Sequence, residues 1–174
     1  MNVNSRFQGD DRVSRADRLN RLVSSHRTPE EQAVCTAAFL SILDGEAADS
    51  AALSEATELD HETTRSVLAE LSERGLVVLE SESGPVVGSW GLSLVPTNHQ
   101  LRIRGRDFHT WCALDAVGIP AGLREDAAVV SQCHQCGKPV LVDVVAGAIT
   151  RAEPRGLHLW VVPSEGARSI VGDT

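Results

Sequence analysis

At 174 residues with 42% apolar side chains, the chain is long enough for one ordinary domain or two small ones. Only 3% are aromatic and there is no Tyr, so Ala, Val and Leu must fill the core. A formal net charge of −8 argues against broad binding to nucleic acid or an acidic membrane, and no apolar run approaches the length of a membrane span.

The start, Met1 to Arg6, lacks the apolar core of a secretory signal, so a cytoplasmic location is expected. In that reducing compartment the four cysteines read as thiols or metal ligands rather than disulfides. Residues 1–27 form a polar arm with five arginines and three aspartates before His26. Thr28-Pro29-Glu30-Glu31 then marks a helix start. Thr28 caps, Pro29 suits the first turn, and the acids favour the positive end of the helix dipole. Apolar residues at helical spacing, among them Val34, Phe39, Leu40 and Leu43, carry this helix to Gly45. Cys35 lies inside it as a small core residue.

A second helix fits Ser50 to Glu58, capped by Asp49 or Ser50. A third fits Glu62 to Arg74, capped by Asp60, with Val67, Leu68 and Leu71 inward and Gly75 ending it. Leu76 to Glu80 and Val86 to Trp90 read as two strands about a turn at Glu82 to Pro85. Three helices and a hairpin give residues 28–90 a winged-helix order. The third helix, however, carries Asp60, Glu62, Glu70 and Glu73 against Arg65 and Arg74, and the wing adds Glu80 and Glu82. Phosphate contact needs a cationic face, so DNA is not an expected partner and the unit reads as a structural or lid-forming module.

Residues 91–174 form the second unit. Strands are expected at Leu92 to Leu94 and His99 to Arg104, separated by a turn at Pro96 to Asn98. Gly105-Arg106-Asp107 is expected to turn into a helix that carries Cys112 and stops by Gly118-Ile119-Pro120. Ala127 to Ser131 and Pro139 to Val144 follow as a hairpin about a tight turn at Cys133 to Gly137, and Leu157 to Val162 as a further strand. The fold class is therefore α+β, a winged-helix-like three-helix unit with its hairpin followed by a short helix on a small antiparallel sheet.

Two groups of residues carry candidate chemistry. Cys112 and Asp115, three apart on a helix, share a face, which sets a soft metal ligand beside a proton donor. Phe108, Trp111 and Leu114 would supply apolar walls that raise the carboxyl pKa. On chemistry alone the same residues read first as the core of an ordinary helix. His109, three before Cys112, either assists its deprotonation or is an exposed helix histidine. Arg102, Arg104, Arg106 and Arg124 either lower a thiol pKa or form a solvated face. The second group is Cys133-His134-Gln135-Cys136-Gly137, a turn whose two thiolates can chelate one metal. It is half of a tetrahedral zinc set, with Cys112, His109, His134 or His158 as further ligands. A redox pair and an inert turn are the alternatives.

Trp111-Cys112-Ala113-Leu114-Asp115 resembles the first active-site segment of the organomercurial (alkylmercury) lyases. The surroundings are similar too, from Gly91-Leu92-Ser93-Leu94, Pro96-Thr97 and Leu101-Arg102-Ile103 to Ser131-Gln132-Cys133, Gly137 to Val140, Glu153-Pro154 and Val161-Val162-Pro163. The resemblance runs from about residue 29 onward. It implies cleavage of the carbon–mercury bond of R–Hg⁺, with Cys112 as the first cysteine and Asp115 as the proton shuttle. No cofactor is implied. The organomercurial is the substrate, Hg(II) the product ligand, and a thiol acceptor such as a mercuric reductase the partner. The family's second cysteine would follow Val161 to Arg168, and no cysteine stands there before Thr174. Cys133 or Cys136 is then the expected second thiol, which makes Cys112, Cys133 and Cys136 the candidate metal ligands. The competing reading is a non-catalytic protein that binds thiol-seeking soft metals, or a metal-responsive regulator whose winged helix reads DNA.

Overall fold

The computed structural model describes residues 27–159. The polar arm before Arg27, Val161-Val162-Pro163 and the position of the family's second cysteine lie outside the described residues. Thr28 caps the first helix, α1 (Pro29–Leu43), as its hydroxyl chemistry demands. Its Oγ1 accepts from Glu31 N at 3.2 Å while Glu31 Oε2 accepts from Thr28 N at 3.1 Å, so two otherwise orphaned N–H groups are satisfied reciprocally. Asp49 caps α2 (Ser50–Thr57) and Asp60 caps α3 (His61–Glu73), each accepting from the amide three residues on. Val34, Cys35, Phe39 and Ile42 of α1, Leu53 of α2, and Leu68 and Leu71 of α3 are buried together.

The chain then builds β1 (Val77–Leu79), β2 (Val86–Ser89), β3 (Leu92–Ser93), β4 (His99–Ile103) and β5 (Arg106–Thr110). Helix α4 (Ala113–Leu123) follows, then β6 (Ala127–Gln132), β7 (Pro139–Val145) and β8 (Ala148–Glu153). Among the described residues these strands form one antiparallel sheet in the order β1-β2-β3-β5-β4-β6-β7-β8. The architecture is α+β. The sheet is larger than the sequence suggests, because the hairpin of the winged-helix-like part is hydrogen-bonded to the rest through β3. Trp90 (φ +49°) and Gly91 (φ +82°) make the two-residue turn between β2 and β3. One apolar cluster runs beneath α1 to α3 and beneath α4, which lies across β4 to β7.

Three expectations are corrected. Arg106 to Thr110 is a strand, not a turn leading into a helix. Arg104 (φ +57°) and Gly105 (φ +74°) close the hairpin, and the period-2 alternation that buries Leu101 and Ile103 on β4 also buries Phe108 and Thr110 on β5. Next, α4 does not stop at Gly118-Ile119-Pro120 but includes Pro120 and ends at Leu123. A proline inside a helix costs about 3 kcal/mol. Burying Ile119 and Leu123 returns roughly 1.5–3 kcal/mol each, enough to offset it. Finally, β8 has no counterpart in the sequence reading. Within the strand expected at Leu157 to Val162, residues 157–159 are not extended into a sheet pairing, and 160–162 lie outside the described residues.

Candidate active site

The chain leaves β5 at Thr110, buries Trp111, and enters α4 with Cys112 as the N-cap residue in extended conformation (φ −145°, ψ 169°). Cys112 is thus outside the helix and Asp115 is in its first turn. Their proximity comes from capping geometry, which turns the cap side chain back over the third helical residue. The Cys112 sulfur accepts from Asp115 N at 3.4 Å, and its thiol donates to Asp115 Oδ2 at 3.1 Å. The sequence expectation that Cys112 and Asp115 face each other holds, although they do not share a helix face.

Neighbouring strands fix this corner. Trp111 N donates to the carbonyl of Gly91 at 2.9 Å, which ties it to the β2–β3 turn. A Cβ at Gly91 would overlap the carboxyl group of Asp115. The absent side chain at Gly91 is what lets the carboxyl sit against the backbone, and the positive φ of that residue favours glycine as well. Thr97 Oγ1 donates to the carbonyl of Thr110 at 2.7 Å and accepts from His99 N at 3.1 Å, joining the start of β4 to the end of β5.

Burial pushes the Cys112 thiol above its ordinary pKa, and the hydrogen bond to Asp115 pushes the same way. Burial also raises Asp115. The Cys112 hydrogen bonds and the charge of His99 pull it back down without cancelling the rise. The thiol proton of Cys112 lies against Asp115 Oδ2. When a soft cation displaces the thiol proton, the nearest base is 3.1 Å away.

Sequence reasoning missed His99 at this site. It is 5% exposed, lies on the inner face of β4, and bonds Ser131 Oγ through Nδ1 at 3.0 Å. The signal was present in the alternation of His99 with Leu101 and Ile103, which sets all three inward. Of the expected apolar walls, Phe108 and Trp111 are buried, but Leu114 is 51% exposed. His109 is on β5, where its Nδ1 accepts from Thr97 N at 3.1 Å, so it is neither an exposed helix histidine nor a base for Cys112. Three of the four arginines are engaged elsewhere. Arg104 pairs with Glu125 at 2.8 Å, Arg102 stands 3.7 Å from Asp107, and Arg106 donates to the carbonyl of Asp44. They form the solvated face rather than an electropositive seat for the thiol.

Cys35 is fully buried, and burial lifts its pKa to about 11, consistent with a core residue. Cys133 and Cys136 stand at the ends of the β6–β7 turn. That turn is closed by Gly137 N donating to the carbonyl of Cys133 at 2.8 Å and Cys133 N donating to that of Lys138 at 2.9 Å. The Cys133 sulfur receives the backbone N–H groups of Cys136 and Gln135 and the Cys136 thiol, which together hold it below its ordinary pKa. Among the described residues no three His, Cys, Asp or Glu side chains gather as a metal-holding group. Cys112 therefore does not join Cys133 and Cys136 in one three-sulfur site, and His109, His134 and His158 complete none.

A family model described as MerB, alkylmercury lyase, matches residues 92–172, a span that includes both Cys112 and Asp115. The alkylmercury lyase of Streptomyces lividans is 38% identical over 89 residues, covering 51% of this chain and 41% of that protein. The Staphylococcus epidermidis enzyme of the same name is 35% identical over 89 residues, with the same two coverages. The chain therefore spans about two-fifths of the length of these curated relatives. In three dimensions it is similar to the mercury-bound form of MerB2, with a TM-score of 0.69 and 28% identity. That match covers 81% of this chain and 68% of the other.

Proposed function

We propose that this chain, which is similar to the alkylmercury lyases over residues 92–172, cleaves the carbon–mercury bond of R–Hg⁺ compounds at Cys112 and Asp115. The observation that carries the proposal is the 3.1 Å contact between the Cys112 thiol and the Asp115 carboxylate. Mercury(II) is a soft acid that prefers thiolate to nitrogen or oxygen. As the Cys112 sulfur bonds mercury, its proton passes to Asp115. A second thiolate on the same mercury then raises the electron density on carbon. The carboxylic acid of Asp115 delivers its proton to that carbon, and the electron pair of the C–Hg bond becomes the new C–H bond. The products are R–H and Hg(II) held between two sulfurs. Since Cys112 shares no three-ligand group with Cys133 and Cys136, we assign the second sulfur to a small thiol from solution. That thiol then carries Hg(II) to a thiol acceptor such as a mercuric reductase.

Residues 28–90 act in this reading as a structural module. The acidic third helix offers few cations to phosphate, and Arg74, one of its basic residues, is paired with the buried Glu31. The β2–β3 turn, where this module joins residues 91–174, presents Gly91 to Asp115.

The test is headspace measurement of benzene released from phenylmercury in excess monothiol. The wild-type chain should turn over, and Cys112→Ser and Asp115→Asn should each lose roughly 100-fold or more, the scale of a missing acid–base group. Undiminished release from Cys112→Ser would eliminate the proposal.

A further inference from the structure

We propose that the β6–β7 turn is a second, separate soft-metal site, in which Cys133 and Cys136 chelate one two-coordinate ion such as Hg(II) at the protein surface. This inference stands apart from the chemistry of Cys112. The spacing puts two sulfurs at the ends of one tight turn, and Gly137 at φ +67° lets the chain reverse directly after the second. The turn is anchored in the sheet, since Gln132 pairs with Pro139 and Cys133 N bonds the Lys138 carbonyl at 2.9 Å. The Cys136 side chain is exposed and Cys133 is partly so, which leaves an ion a route in from solvent.

The ligand count selects the ion. Zinc in a structural site takes four ligands, and among the described residues no third His, Cys, Asp or Glu joins this pair. Two thiolates satisfy a soft ion that prefers two-coordinate binding, with metal–sulfur bonds of about 2.3 Å placing the sulfurs somewhat under 5 Å apart. Binding replaces two S–H protons with two S–metal bonds and changes no oxidation state.

The experiment uses the full chain carrying Cys112→Ser, fully reduced, titrated with mercuric chloride against a competing monothiol. Thiolate-to-mercury absorption reports binding, and alkylation followed by mass spectrometry reports which cysteines are protected. One equivalent should bind, Cys133 and Cys136 should be shielded together, and adding Cys136→Ser should weaken apparent affinity roughly 100-fold through loss of the chelate. The alkylation footprint on the unmutated turn tests the same claim without that substitution. A change under about threefold on adding Cys136→Ser, well short of the chelate advantage, would overturn the proposal. So would protection of Cys35 in place of the pair, or mercury bound only between two chains.

Discussion

Gly91 and Asp115 meet where a β-turn and a helix start converge, and the glycine has no side chain because the carboxyl group fills that space. An alanine there would have to hold φ near +82° and displace the carboxyl group. We predict that Gly91→Ala loses most hydrocarbon release while the chain stays folded by circular dichroism. The internal control is Gly118 on α4, which has open space beside it and no positive φ. Gly118→Ala should keep activity and add roughly 0.5–1 kcal/mol of stability by stiffening the helix.

Asp115→Asn should raise stability at neutral pH while it abolishes turnover. The folded-state pKa of Asp115 lies above its unfolded value, so between the two values the folded state binds more protons and stability falls as pH rises. Asparagine carries no such charge. Its advantage in thermal melting should be present at pH 7 and vanish in acid below both values. An unchanged melting temperature at both pH values would contradict the burial argument.

The pH dependence of the thiol supplies a third test. Asp115 raises the Cys112 pKa through its hydrogen bond and its charge, so alkylation of Cys112 should titrate above an ordinary thiol and shift to lower pH in Asp115→Asn. His99 acts in the opposite sense on Asp115. His99→Gln should therefore move the acid limb of the activity profile to higher pH, because the carboxylate loses a favourable charge. A purely structural role for His99 would lower activity without moving that limb.

Alkylation rates should also rank the four cysteines by exposure and ionisation. Cys136 and Cys133 should react first, Cys112 later, and Cys35 only when the chain unfolds, since it is buried with a pKa of about 11. Time-resolved mass spectrometry in native buffer and in denaturant checks this order.

The helices were legible in the sequence because their caps are local chemistry. Thr28, Asp49 and Asp60 each announce a start, and each one caps. The strands β5 and β8 were not. Their hairpins turn on Arg104-Gly105 and Ala146-Gly147, where a residue other than Asn or Asp takes the first positive φ, so the usual dipeptide signal is missing. Cys112 and Asp115 were found through the wrong geometry, since spacing of three fits both a helix face and a cap with its third residue. Gly91 and His99 reach the site only through sheet pairing, which spacing along the chain does not reveal.

The central claim is that Asp115 takes the Cys112 proton and passes it to carbon. Running the phenylmercury reaction in D₂O with excess monothiol, and analysing the benzene by mass spectrometry, tests it directly. The account predicts one deuterium per benzene at a rate that collapses in Asp115→Asn and in Cys112→Ser. Monodeuterated benzene formed at the wild-type rate by Asp115→Asn, or benzene carrying no deuterium, would contradict it.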